Sequence, residues 1–331
     1  MIRNFLRNLL TALTTTCLFL AFTSTVWAAD KDMTATYADP ATHHIQTVFV
    51  ILMENHNWTG DGNLDIKGNP AAPYINNTLV PMGSHAENYS NPPGNHPSLP
   101  NYLWLVAGTN FGILNDNPPS QNQIKSSKHV VTQLKDAGVS WKSYDENISG
   151  KLCPLVDGGG IDPDGNSYYG VRHNPFVYFL DITNHLDPHS AYCIAHVRPY
   201  KELAADLKNN NVASYNFITP NVCDDMHDNC AGDPIAHGDT WLSQNVPTIL
   251  NSEAYQKGGA LFIVWDEADN GDGPIGMIVL SPFAKGGGYS NQLLYTHGST
   301  LRTFEEVFSL KPFLGDAKSE QDLSDLFSVF P

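Results

Sequence analysis

The chain reads as an α/β protein built on one mostly parallel sheet with helices on both faces. Three observations predict this. Residues 46–53 (Q-T-V-F-V-I-L-M), 260–265 and 275–280 are continuous β-branched and aliphatic runs, the signature of strands buried on both sides. Helix-like segments alternate with them, as in βα units. Polar residues gather where the strands end, and open parallel sheets place their ligands there.

Taken in order, residues 1–28 carry Arg3 and Arg7, an apolar stretch over 9–22, and Val26-Trp27-Ala28. A basic start, an apolar middle and a small-residue end predict a secretory signal peptide cleaved after Ala28 or Ala29. The mature chain, 29–331, is then expected in the periplasm or outside the cell, as a single catalytic domain without a stable membrane anchor. Residues 29–44 form a polar lead. The strand at 46–53 stops at Glu54-Asn55-His56-Asn57. Residues 73–82 suit a short helix and 85–89 a strand. Residues 130–137 suit a helix ended by Gly138, followed by a strand over 139–144. Residues 145–195 are rich in Gly, Asn, Pro and Asp and predict an irregular, cap-like insertion. A helix over 199–208 and a strand over 213–218 follow. Gly238-Asp239 marks a helix start, with Asp239 as N-cap of a helix over 241–255. The strand at 260–265 ends in Asp266-Glu267. Thr296-His297-Gly298-Ser299 opens a helix over 301–310, and a weak helix near 322–329 closes the chain.

The formal charge of −16 excludes nucleic acid as a partner, since phosphate backbones attract basic surfaces. It does not exclude a small phosphorylated substrate, because a local cation overrides the mean field. Cys17 falls in the leader, leaving Cys153, Cys193, Cys223 and Cys230. An even number in an oxidising compartment predicts two disulfides. Cys223–Cys230 with Cys153–Cys193 is one pairing; the other two stay open. No C-x-x-C pair supports a thiolate zinc site.

The chemistry centres on His96-Pro97-Ser98-Leu99-Pro100-Asn101-Tyr102. Ser98 stands before an apolar helical run, where unpaired backbone N–H groups favour an anion. Alone, such a serine reads first as an N-cap, and the rest of the chain reverses that order. The acids at 54 and 266–267, at the ends of two buried strands, repel each other unless a cation lies between them. Oxygen ligands suit a hard divalent ion. Such an ion also lowers the pKa of a serine hydroxyl. His96, His173, His227 and His297 add acid–base or ligand candidates.

Together these segments resemble the phosphoesterase family of bacterial and fungal acid phosphatases and phospholipases C, within the alkaline phosphatase superfamily. The matching residues are 50–56 (V-I-L-M-E-N-H), 96–102 (H-P-S-L-P-N-Y), 172–176 (R-H-N-P-F), Thr219-Pro220-Asn221 with 225–228 (D-M-H-D), 238–242 (G-D-T-W-L), 265–267 (W-D-E), 281–283 (S-P-F), and Thr296-His297-Gly298-Ser299 with Arg302, Thr303 and Glu305. The resemblance implies a three-layer α/β/α sandwich. It implies Glu54, Asn55, Ser98, Asp266 and Glu267 as ligands of a divalent metal (Ca, Mg, Mn, Zn or Fe), with Ser98 as nucleophile. It places His173 and His227 as phosphate-contacting or acid–base residues and His297 at a late superfamily position. Asp225 and Asp228 flank His227 and read as caps in preference to ligands of a second metal. The implied activity is phosphomonoester hydrolysis through a phosphoserine. Phospholipase C-type diester cleavage on phospholipid or phosphoinositide head groups is the alternative, and a binding protein without turnover is a third reading. The compact length favours the monoester.

Overall fold

A computed structural model describes residues 43–331. The expected signal peptide and nearly all of the polar lead lie outside those residues. Ten strands are described: β1 (Thr47–Met53), β2 (Ser84–Ser90), β3 (Trp141–Asp145), β4 (Gly158–Ile161), β5 (Ser167–Tyr169), β6 (Val197–Pro199), β7 (Tyr215–Thr219), β8 (Gly259–Trp265), β9 (Met277–Leu280) and β10 (Tyr289–Thr296). Eight form one sheet in the order β10-β2-β9-β8-β1-β7-β3-β6, while β4 and β5 pair separately. β9 is antiparallel to both its neighbours, and the other pairings in the large sheet are parallel. The β-branched and aliphatic side chains of β1 and β8 are buried on both faces, which places these strands at the sheet's centre.

Helices cover both faces. Val50 pairs with Phe262 and Met53 with Trp265, so alternation puts Phe262 and Met53 on opposite sides. Phe304 of the His297–Val307 helix packs edge-on to Phe262 and Tyr215 on one side. On the other, Gly238 of the Pro234–Leu250 helix lies against Met53 and Met226; a Cβ there would sit 2.3 Å from Met226 Cγ.

That helix corrects one expectation. It begins at Pro234, and Asp233 is its N-cap, accepting from the backbone N–H of Ile235 and Ala236. Gly238-Asp239 lies inside it. The glycine is a close-approach residue, not a boundary, and Asp239 caps a different element. Its carboxylate accepts from the N–H of Tyr74 at 3.0 Å and of Ile75 at 2.8 Å, at the start of the Ile75–Leu79 turn. The helix stops at Leu250, and Ser252 caps a separate helix, Glu253–Gly258. The tail carries only short 3-10 turns, Gly315–Lys318 and Ser324–Leu326.

Residues 145–195 hold the β4–β5 hairpin and several single turns. The disulfides are Cys153–Cys193 and Cys223–Cys230. Because β9 runs backwards, residues 266–276 form a hairpin bend at the carboxyl edge of the parallel strands. The bend bonds to both flanks. Asn57 and Asn270 exchange bonds on the β1 side, and on the β2 side Asn91 N–H donates to the Asp272 carbonyl at 3.0 Å.

Candidate active site

The register Met53↔Trp265 sets Glu54-Asn55 and Asp266-Glu267 side by side as their strands end. Two bonds from backbone amides fix the junction: Asp266 N–H donates to the Met53 carbonyl at 2.9 Å, and Asn55 N–H to the Asp266 side-chain Oδ1 at 3.2 Å. Asn55 takes a left-handed backbone, φ 42°, which asparagine tolerates better than most residues. The serine arrives from β2. Pro97 is the extended N-cap residue of the Ser98–Ala107 helix, so Ser98 is the first helical residue and its hydroxyl does no capping. Instead Ser98 Oγ donates to Glu54 Oε2 at 2.9 Å and lies beside the Asp266 carboxyl. The five residues expected to converge therefore do so, across 44 positions of sequence from Glu54 to Ser98.

Electrostatically this group is unstable alone. Burial, and then the neighbouring Asp266, push Glu54 well above the usual carboxylate range. Burial and Glu267 do the same to Asp266. Burial, then Glu54 and Asp116, push Glu267 up to about 9. Asp266 Oδ2 is buried without a hydrogen-bond partner. The outer atom of the Asn55 amide lies 3.1 Å from Glu267 Oε1 and 3.3 Å from Glu54 Oε2. With nitrogen there the amide donates to both acids. With oxygen there, three oxygens converge, an arrangement a cation satisfies. The donor set thus fits a hard divalent ion.

A second grouping, Glu54, His173 and His227, also brings ligand atoms within 4.8 Å. It suits a cation less well, because Arg172 Nη2 already sits 3.3 Å from His227 Nε2. Asp162 with Cys223 and Cys230 is excluded, since a disulfide offers no thiolate.

His173 comes from the Val171–His173 turn and stacks on Tyr102, ring centroids 5.3 Å apart. Its Nδ1 is 3.0 Å from Asp225 Oδ2 and its Nε2 3.3 Å from Glu54 Oε1. Burial first, then Arg172 and His227, lower its pKa well below the usual value, so it is neutral. The Nδ1 contact lacks hydrogen-bond geometry, and both Asp225 Oδ2 and His173 Nε2 are buried without a hydrogen-bond partner. Asp228 Oδ1 holds His227 Nδ1 at 2.6 Å. Asp225 Oδ1 accepts from His227 N–H at 2.9 Å, the local cap expected of it, while its other oxygen faces His173. His96 bridges the acids at the rim, with Nδ1 on Glu267 and Nε2 3.1 Å from Asp272. His297 stands behind the acids. Its Nε2 meets the Asp266 carbonyl, its Nδ1 meets Tyr89 Oη at 2.9 Å, and burial lowers its pKa to about 4. It braces the Asp266 backbone instead of entering the site.

Sequence reasoning gave no role to four neighbours. Tyr102 Oη donates to Glu54 Oε1. Asn101 Nδ2 donates to Glu267 Oε2 at 3.1 Å. Arg172 is a fixed cation beside His227. Asp116 receives the Leu99 N–H at 2.9 Å. The first three lie in quoted motifs, and their spacing from Ser98 and His173 was the available signal. Asp116 sits in a loop with no motif.

The fold is an α/β fold of the kind found in the alkaline phosphatase superfamily. A Vibrio parahaemolyticus protein of that superfamily superposes with a TM-score of 0.52 at 11% identity, over 85% of this chain and 70% of that one. The phosphonate monoester hydrolase of Agrobacterium radiobacter gives 0.51 at 11%, over 86% and 78%. The profile of the phosphoesterase family matches residues 86–311, and the chain belongs to that family. A phosphatidylinositol-3-phosphatase of Mycobacterium tuberculosis is 26% identical over 281 residues, covering 85% of this chain and 82% of that protein. A phosphate-repressible acid phosphatase of Penicillium chrysogenum is 28% identical over 233 residues, covering 66% of this chain and 51% of its own length. The chain thus spans about half of that fungal relative.

Proposed function

We propose that the protein is an exported, metal-dependent acid phosphatase that hydrolyses phosphate monoesters through a phosphoserine at Ser98. The observation that carries this reading is the Ser98 Oγ–Glu54 Oε2 contact at 2.9 Å, inside a ring of carboxylates that a cation would neutralise. Phosphoesterase family membership supports ester hydrolysis, and the fungal acid phosphatase relative supports the monoester.

Glu54, Asn55, Ser98, Asp266 and Glu267 would hold the divalent ion. When bound, it supplies Lewis acidity toward the serine oxygen and a phosphoryl oxygen. The chain's own residues do the rest. Glu54 accepts the Ser98 hydroxyl hydrogen bond and aims Oγ for in-line attack on phosphorus. Asn101 holds Glu267, and Tyr102 holds Glu54. The N-terminal amides of the Ser98–Ala107 helix and Arg172 lie where charge develops on the phosphoryl oxygens. His173, stacked on Tyr102, and His227, held by Asp228, are the proton carriers for the leaving alcohol and for the water that later frees Ser98. Water hydrolyses the phosphoserine, releasing phosphate.

A second reading, that the alcohol is an inositol lipid head group, is favoured by the mycobacterial relative. No helix among the described residues is long and apolar enough to cross a membrane. The test is parallel turnover of nitrophenyl phosphate, nitrophenyl-phosphorylcholine and a phosphatidylinositol monophosphate by metal-loaded protein. Turnover of the choline diester alone would overturn the monoester reading.

A further inference from the structure

Asp116 lies in the irregular segment after the Ser98–Ala107 helix, away from every motif. Its Oδ1 accepts from the backbone N–H of Leu99, the residue following the nucleophile, at 2.9 Å. Its Oδ2 is 3.9 Å from Arg172 Nε. Its side chain is 30% exposed, so the carboxylate reaches the mouth of the site. The charged groups around it are Arg172, His227, Asp157 and Glu267.

A phosphoryl group on Ser98 Oγ keeps its free oxygens within hydrogen-bond reach of the next backbone N–H. At a helix N-terminus that N–H is the natural anion donor. Arg172 is the natural partner for a second phosphoryl oxygen. Asp116 already engages both. A carboxylate and a phosphoryl dianion cannot share one N–H without strong repulsion. A phosphoryl monoanion can remain beside the carboxylate, because its P–OH donates to it.

We propose that Asp116 is a specificity-determining residue. Its carboxylate stands at the edge of the phosphoryl seat and selects singly charged phosphoryl groups over doubly charged ones. The idea rests on the phosphatase reading above and extends it to the ionic form of the substrate. Phosphomonoesters gain their second charge near pH 6, so the selected form is the one abundant in acid.

The bland alternative is that Asp116 only ties down the helix start, as a remote cap. The two readings separate by calorimetric binding of inorganic phosphate to metal-loaded protein at pH 5 and pH 8. Asp116→Asn keeps an acceptor for Leu99 N–H and removes the charge. The ratio of dissociation constants, pH 8 over pH 5, is expected to shrink about tenfold relative to wild type. Asp116→Glu keeps the charge and is expected to hold the wild-type ratio within about threefold. An unchanged ratio in Asp116→Asn overturns the proposal, whatever its melting temperature. Phosphate binding needs no turnover, so this result stands apart from the nitrophenyl phosphate assay that tests the phosphatase reading itself.

Discussion

Replacing Tyr102 by phenylalanine removes one hydroxyl and little else. The ring stays stacked on His173, since the two planes lie 4° from parallel and the contact uses no oxygen. What disappears is the Tyr102 Oη bond to Glu54 Oε1. Both groups are fully buried, so no solvent replaces it. A hydrogen bond to a charged acceptor contributes about 1.5–3 kcal/mol, so metal affinity should fall about 10- to 150-fold. The sign with pH also follows. The bond favours ionised Glu54, which burial and Asp266 already disfavour. Its loss makes protons stronger competitors for the carboxylate, so the pH at which half the metal is lost moves upward. Chelator competition at fixed pH measures the affinity, and kcat/KM at saturating metal shows whether the geometry survives. A folded Tyr102→Phe protein that keeps its metal within about threefold of wild type would refute Glu54 as a ligand supported by Tyr102.

Three further perturbations have expected outcomes. Ser98→Ala should lose about four orders of magnitude or more of turnover and yield no acid-stable phosphoenzyme. Its circular dichroism should be unchanged, because the hydroxyl caps nothing. Metal-stripped protein should melt at progressively lower temperature as pH rises from about 5 toward 9. Glu267 holds its proton up to about 9 when folded but ionises near the ordinary value when unfolded, so the unfolded state binds fewer protons in that window. Burial raises Glu305 to about 8 and Asp145 to about 7, which adds the same slope with or without metal, so the test is the difference between stripped and loaded protein. Asp239→Ala orphans two backbone N–H groups and should cost about 2–4 kcal/mol in denaturant unfolding, with Asp239→Asn recovering part of it.

Much of this arrangement was legible in the chain, for identifiable reasons. Buried parallel strands leave continuous apolar runs, so β1 and β8 and the acids that end them could be placed. Ser98 could be placed because its helix starts where apolar periodicity starts. Strand direction leaves no such trace: β9 has the apolar composition of the parallel strands β1 and β8 and runs the other way. β10 escaped notice because its exposed Gln292, Leu293 and Leu294 break any burial pattern. Asp239 misled because a Gly-Asp pair looks like a boundary, while close packing by Met53 and Met226 requires that glycine within a helix. His297 was drawn toward the site by its position in a motif. Only three dimensions reveal that it grips the Asp266 carbonyl from behind. Asp116 had no sequence signal at all, since what makes it notable is a backbone amide 17 residues away.

The reversed strand β9 has a mechanical consequence. A parallel neighbour would require a long crossover after β8, and the acids would hang from a free loop. The tight bend at 266–276 instead works as a suture, stitched to the β1 flank through Asn57 and to the β2 flank through Asn91, Gly94 and His96. Any slip of β9 along its neighbours would shear the acid pair away from the serine. The spacing of the reacting groups is therefore inherited from sheet alignment, and a mutation far down β9 that loosens its pairing should blunt activity before it unfolds the protein.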